Sequence, residues 1–281
     1  MPAGPLSRPI RIAPGSTIAA LLKSALLDPL ELRLLIAHAL QLTRVQLITQ
    51  SERMLTAHEA QHLSTLFQRR IDGEPIAYIV GAREFYGLSF KVTPDVLIPR
   101  PETELLVELA LDLLPEHGRL LDMGTGSGAI AVAIAQSRPD IAVTALDVSA
   151  TALAVAHDNA QRHGVAITFL QSDWYGALGA ARFDIIVANP PYIASGDAHL
   201  AQGDLRFEPA GALTDHADGL SALRTIIASA THHLLPDSWL LMEHGYDQAT
   251  AVRGLLTVAG FIEVQSWKDL ARIERVSGGR R

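Results

Sequence analysis

Apolar positions first recur at helical spacing. Between residues 17 and 73 they return every three or four residues through TIAALLKSALL, ELRLLIAHALQL, VQLITQSERM and AHEAQHLSTLFQRRIDG, and four helices are expected there. Ser16 is the cap expected for the first, and Asp28-Pro29 supplies a cap and a first-turn proline for the second. Gly73 and Pro75 end the pattern, so residues 1–75 read as a small helical domain behind a Pro-rich start expected to fray. The period then shortens. From Ala77 to Pro99 aromatic and β-branched residues alternate around Gly81 and Gly87, and residues 76–100 read as a β-hairpin linker. Pro99-Arg100-Pro101 opens a helix through ETELLVELALDLLP. After it the strands RLLDM, AVTALD, AITFLQ, FDIIVAN, SWLLMEH, IEVQSW and RIERVS alternate with helices beginning near Gly128, Ser149, Gly219 and Asp247. Such alternation predicts an α/β domain over residues 101–281, its largely parallel sheet covered on both faces and its ligands outside the carboxyl ends of the strands.

A chain of 281 residues is long enough for two cores, and its 48% hydrophobic and 19% charged content is that of an ordinary globular protein. No apolar run reaches the length of a membrane span, and the opening MPAGPLSRPIRIAPGS has no secretory signal pattern, so a cytoplasmic location is expected. The absence of cysteine excludes disulfides, thiolate zinc sites and a cysteine nucleophile. Charge is uneven: eleven basic and eight acidic residues through Arg100 give +3, while twelve and twenty-two after it give −10. So acidic a second part disfavours a nucleic-acid substrate, whose phosphates need clustered Lys and Arg.

Three motifs carry chemistry. In LDMGTGSGA, from Leu121 to Ala129, a strand runs into a glycine loop and then a helix. Gly124, Thr125, Gly126, Ser127 and Gly128 are candidate cofactor-binding residues, because glycines let a ligand touch backbone and the helix start offers free amide hydrogens. Alone the signal is ambiguous: Gly124, Gly126 and Ala129 also fit the G-x-G-x-x-A spacing of nicotinamide enzymes. Asp147 ends the next strand, where a carboxylate can accept from ribose hydroxyls, since Ser149 is available to cap the following helix. Ser172-Asp173-Trp174 ends the third strand; Asp173 can accept from an adenine amino group and Trp174 can cover the ring. The third motif, FDIIVANPPY, decides between the readings. The Asn189 side-chain oxygen and the Pro190 carbonyl can accept both N–H bonds of a planar NH₂ group, Tyr192 can stack on it, and Pro190 with Pro191 stiffens the loop. A nicotinamide enzyme leaves this motif unexplained.

Together DMGTGSG, ALD, SDW and NPPY resemble the amino methyltransferases of the Rossmann-like class, whose NPPY signature is shared by enzymes acting on adenine, cytosine and glutamine amides. GEPIAYIVGAREFYGLSFKVTPDVLIPRPETE, DLRFEP, DGL and the late EHG are similar to the release factor glutamine methyltransferases, from Thr17 to the C-terminus. The resemblance implies a Rossmann-like methyltransferase sheet, S-adenosyl-L-methionine as cofactor, and peptide chain release factors as protein substrates presenting a Gly-Gly-Gln tip. One departure is Ala271-Arg272, where that family commonly has Ala-Gly.

On this reading Asn189, Pro190 and Tyr192 are catalytic, Asn189 also borders the cofactor, and Pro191 joins them around the substrate amide. The methyl donor arrives activated, so neither a metal nor a covalent enzyme intermediate is needed. No general base stands out; His244 and Asp173 read as structural. The loop from Ile193 to Asp218, with Arg206, Glu208 and Asp218, is long enough to line a substrate entrance, and Arg100, Thr103 and Glu104 are expected beside the cofactor. The helical domain is expected to recognise the release factor away from its tip. Rival readings are a nucleic-acid adenine methyltransferase, a ribosomal-protein glutamine methyltransferase, and an inactive methyltransferase fold that only binds. Labelled methyl transfer separates them.

Overall fold

A computed structural model describes residues 9–281, and the chain divides after Gly81 into two units. The fraying expected of the first residues falls, through Arg8, outside the described residues. The first unit holds α1 (Ile18–Leu22), α2 (Pro29–Leu40), α3 (Arg44–Thr49), α4 (Ala57–Ile71) and α5 (Ile76–Val80). Thr17, not Ser16, caps α1: its hydroxyl accepts from the Ala20 amide at 3.2 Å while its backbone bridges to Met54. The helix also stops at Leu22, because the chain must turn before Asp28, whose carboxylate accepts from Leu30 N at 2.8 Å and starts α2. Thr43 with Gln46 and Thr56 with Glu59 form reciprocal capping boxes at α3 and α4. Ile18, Leu32, Leu35, Ile36, Leu63 and Phe67 are fully buried at the centre. Residues 76–80, expected to open the hairpin, are instead the helix α5. Ile76, Ile79 and Val80 pack into this helical core, and that burial overrides their β-branched preference.

In the second unit the hairpin is β1 (Ala82–Phe85) and β2 (Leu88–Lys91), paired antiparallel. A 3₁₀ turn at Pro101–Thr103 leads into α6 (Glu104–Leu113). The sheet contains β3 (Arg119–Met123), β4 (Ala142–Asp147), β5 (Thr168–Gln171), β6 (Phe183–Ala188), β7 (Leu234–Glu243), β8 (Ile262–Lys268) and β9 (Glu274–Arg280). The helices are α7 (Ala129–Ser137), α8 (Ala150–His163), α9 (Ala210–Leu213), α10 (Ser221–His233) and α11 (Ala249–Val258). Strand order is β5-β4-β3-β6-β7-β9-β8, parallel except for β9, which is antiparallel to both neighbours. Side chains alternate between two cores: Leu120, Ile185 and Leu241 face α6 and α7, whereas Leu121, Ile186 and Leu240 face α10 and α11. No helix among the described residues is long and apolar enough to cross a membrane.

Buried Asn159 of α8 ties the hairpin to this sheet. Its amide nitrogen donates to the carbonyls of Lys91 (3.0 Å) and Ser127 (2.8 Å), and its oxygen accepts from Lys91 N at 2.8 Å. An ion pair between Lys91 and Asp158 at 2.6 Å reinforces the joint. Because β3 has β4 on one side and β6 on the other, the chain reverses its winding at β3, and a crevice opens at the carboxyl ends of these strands.

Two features of this framework are measurable. Arg272, where the resemblance implies a glycine, sits exposed in the turn before β9 at φ 64°, a left-handed conformation that costs most side chains energy. Arg272→Gly should therefore raise stability, by about 1 kcal/mol at most after glycine's own entropic cost; an unchanged or lower urea midpoint would show that the turn carries no strain. Asp122 is fully buried at the end of β3 with Oδ1 unpartnered, and burial pushes its carboxyl up to about 7 against the Thr125 hydroxyl bond, with the charge of Asp147 adding to the rise. A carboxyl raised in the folded state stabilises it below the unfolded pKa, and that contribution is lost as pH climbs through about 7. Asp122→Asn cannot lose that proton. Its melting temperature relative to wild type should thus rise steadily between about pH 4 and pH 8, and a difference independent of pH would refute the buried ionisation.

Candidate active site

Register brings the motifs together. Met123 pairs with Leu146 on one side and Ala188 on the other, Asp147 pairs with Gln171, and Ala188 pairs with Met242. The Ser172–Trp174 segment, Asp147, the glycine loop, Asn189 and Glu243 consequently follow one another along the carboxyl edge of the sheet. A cavity of about 430 Å³ opens there, the size of a small-molecule site.

Gly124 and Gly126 line it with φ of 72° and 54°, which glycine adopts freely, so bare backbone faces the space. Gly124 N and Thr125 N both donate to Leu146 O at 2.9 Å, fastening the loop to the end of β4. Asp147 lines the cavity as well. Its Oδ2 accepts from Gly126 N and its Oδ1 from Ser149 N, each at 2.9 Å, while the Ser149 hydroxyl caps α8 through Ala152 N. Each carboxylate oxygen keeps a free lone pair for a ligand hydroxyl. Burial raises the Asp147 pKa, with the backbone N–H groups of Ser149, Gly126 and Val148 opposing. Trp174 lies half-buried on the wall beside Gly124, held at φ 45°, and exposed Asp173 adjoins it. Thr125, Ser127 and Gly128 do not line the cavity. The Thr125 hydroxyl donates to Asp122 Oδ2 at 2.6 Å, the Ser127 carbonyl serves Asn159, and Gly128 starts α7 in close packing against Ala156.

Asn189 and Pro191 line the cavity, but Pro190 and Tyr192 are not on its wall. The Asn189 amide is held by its nitrogen, which donates to Thr103 Oγ1 at 3.2 Å. Tyr192, expected to stack on substrate, directs its hydroxyl to Glu243 Oε1 at 3.2 Å. Glu243 is buried, and burial pushes its carboxyl up to about 7 against the hydroxyls of Thr103 and Tyr192. Its Oε2 is left without a hydrogen-bond partner. Gln248 braces the turn after Tyr192 by donating to the carbonyls of Tyr192 (3.0 Å) and Gly219 (3.1 Å). Gly219 is obligatory there, since a Cβ would stand 2.5 Å from Tyr192 O.

Several expected contacts fall elsewhere. Glu208 is buried and paired with Arg100, and its other oxygen accepts from Ile98 N at 3.0 Å, so these residues clamp the 193–218 loop. Asp218 pairs with Arg224 at 2.6 Å, and Arg206 is exposed over Phe207. Glu104 is also off the cavity; it accepts from Tyr86 N at 2.8 Å and holds the hairpin. Thr103 stands behind Asn189. His244 is structural: Nδ1 bonds Gly245 O, Nε2 bonds Ser277 Oγ, and burial lowers its pKa. The sequence reading missed that Asp95, Pro209, Thr214, Asp215 and His216 also line the cavity. Asp215 accepts from Ala217 N, Gly219 N and Ser221 N, so only a run of Asx-type turns hinted at it.

Comparison with known proteins agrees with this arrangement. The Methyltransferase small domain family matches residues 101–216 and the PrmC N-terminal domain matches residues 16–81. A release factor glutamine methyltransferase from Burkholderia pseudomallei is 56% identical over 274 residues, covering 94% of this chain and 96% of its own length. The one from Escherichia coli is 45% identical over 249 residues, 88% and 90% of the two chains. The crystal structure of a methyltransferase from Pyrococcus furiosus shares the fold, with a TM-score of 0.54 and 18% identity over 77% of this chain and 98% of that one. On identity of this extent and coverage, the chain belongs to the release factor glutamine methyltransferases.

Proposed function

We propose that the chain methylates the side-chain amide nitrogen of the glutamine in the Gly-Gly-Gln motif of peptide chain release factors, in the cytoplasm, with S-adenosyl-L-methionine as methyl donor. Family membership supplies the substrate class. The cavity's charge carries the choice of cofactor: Asp95, Asp147, Asp173 and Asp215 line it, and among the described residues no Lys or Arg does. A pyrophosphate would meet four carboxylates and no Lys or Arg to balance it, whereas a donor bearing a cationic sulfur and an amino group is attracted by them. The remaining surfaces fit the same group. Asp147 would hold the ribose, Trp174 the adenine ring, and the open backbone at Gly124 and Gly126 the rest.

When bound, S-adenosyl-L-methionine supplies a methyl group already activated by its positive sulfur. What remains for the chain is orientation of a weak nucleophile. An amide lone pair is delocalised into its carbonyl, and acceptors on both N–H bonds favour the positive charge that builds on nitrogen. With its nitrogen committed to Thr103, Asn189 offers its oxygen for one of those bonds, and the Pro190 carbonyl is assigned the other. The alkylated nitrogen is strongly acidic, so its proton can pass to a carbonyl or water without a dedicated base.

Labelled methyl transfer to a purified release factor, to its Gln→Ala variant and to DNA tests the reading; methyl on DNA or on the Gln→Ala variant would overturn it. Asn189→Ala should cost about 2.7–4 kcal/mol of activation free energy, some hundredfold or more in turnover, with cofactor affinity largely kept. Asp147→Ala should instead weaken cofactor binding in a calorimetric titration, and unchanged affinity would leave Asp147 a loop tether. We also assign recognition of the release factor body to the first unit. Deletion through Gly81 should then impair methylation of whole release factor far more than of a Gly-Gly-Gln peptide, and equal losses from a folded truncation would favour mere bracing.

A further inference from the structure

We propose that Gln248 is a positioning residue for methyl transfer, holding the Asn189–Tyr192 turn in the place from which its acceptors meet the substrate amide. This role rests on the reading of Asn189 and the Pro190 carbonyl as those acceptors. Gln248 itself is not on the cavity wall, so its effect must pass through the turn.

The turn has little with which to hold itself. Of its four residues, Pro190 and Pro191 have no amide hydrogen, so half the donors that could fasten its backbone are missing. It is tied from outside instead. At its start Asn189 Nδ2 donates to Thr103 Oγ1 at 3.2 Å. At its end the Tyr192 carbonyl accepts from Gln248 Nε2 at 3.0 Å, and Ile193 N donates to Leu213 O at 3.0 Å. Gln248 Nε2 also donates to Gly219 O at 3.1 Å, while Oε1 accepts from Gly245 N at 2.8 Å. These partners fix the direction of the Gln248 amide, because two carbonyls require its NH₂ end and one N–H requires its oxygen. A single side chain thereby joins the turn after β6 to the turns before α10 and after β7.

The surroundings are shaped to this junction. Gly219 has φ 81°, and a Cβ there would stand 2.5 Å from Tyr192 O and 2.9 Å from Gln248 Nε2, so bare backbone is what lets the two meet. Gln248 also occupies the cap position of α11 without making a side-chain capping bond. Ser, Thr, Asp or Asn would stabilise the helix start better but could not reach as far. The longer side chain serves the turn. Pro190 lies between the Thr103 and Gln248 tethers, and release of the Tyr192 carbonyl leaves the Pro190 carbonyl free to swing. A misplacement of about 1 Å can cost on the order of a hundredfold in rate. Gly124, Asp147 and Trp174, by contrast, stand at other strand ends and keep their places, so the loss should fall on turnover and spare cofactor binding.

Full-length Gln248→Glu tests the role. The substitution keeps the shape and the acceptor for Gly245 N but, while ionised, has no hydrogen to give either carbonyl. The kcat should fall about tenfold on whole release factor and on a Gly-Gly-Gln peptide alike, with S-adenosyl-L-methionine affinity by calorimetry changed less than about twofold. Gln248→Met, similar in length and without a hydrogen to donate, should show the same loss. The two variants part with pH. Neighbouring carbonyls favour a protonated carboxyl, which regains one hydrogen to donate. The kcat of Gln248→Glu relative to wild type should therefore rise as pH falls toward the carboxyl range, and that of Gln248→Met should stay level. A Gln248→Glu enzyme with wild-type turnover, or one whose loss lies in cofactor affinity, would overturn the proposal. So would ratios that stay level with pH in both variants beside a lowered melting temperature, the mark of bracing alone. The functional reading fails separately, if wild type leaves the glutamine unmethylated or Asn189→Ala keeps full turnover.

Discussion

The site depends on the register of β6 between β3 and β7. A parallel strand buried on both faces cannot slip by one residue without sending Ile185 and Val187 into the core meant for Ile186 and Ala188. The packing of two hydrophobic cores therefore fixes the level at which β6 ends. Asn189 is the next residue, and the same levelling sets Met123, Leu146 and Met242 at known heights beside it. Polar groups at the cavity thus inherit their positions from apolar contacts far larger in sum than any one of their hydrogen bonds. That is why the prolines after β6 need only stiffen a short turn.

Much of this was legible in the sequence because strands buried on both faces are short apolar runs, and the residues just past the carboxyl end of each run are its immediate neighbours in the chain. The glycine loop, Asp147, Trp174 and Asn189 were found in that way. Side chains whose partners lie far along the chain were not. Glu208 was expected along a substrate entrance, and nothing near it in the chain showed that it meets Ile98 at a separation of 110 residues. Glu243 ended an apolar strand with nothing nearby to say that Tyr192, 51 residues earlier, donates to it. Residues 76–80 had a strand's composition and became a helix, because burial of Ile79 in the first unit outweighed local preference. The cap of α1 moved from Ser16 to Thr17 for a similar reason: a backbone bridge to Met54 extends Thr17 and aims its hydroxyl at Ala20.

Asp122, Asp147 and Glu243 stand at or beside the carboxyl ends of β3, β4 and β7, and the groups able to reach each one separate their roles. Asp122 is sealed under the glycine loop, with Thr125 as its hydroxyl partner, so it can shape the loop but cannot meet a ligand. Asp147 opens on the cavity, and its bonds to Gly126 and Ser149 fix it where a ligand hydroxyl could come. Glu243 is as deeply buried as Asp122, but the hydroxyl it accepts from belongs to Tyr192, in the loop that follows Asn189. Similar chemical groups at successive strand ends thereby do different things, according to whether solvent, ligand or only protein can approach them.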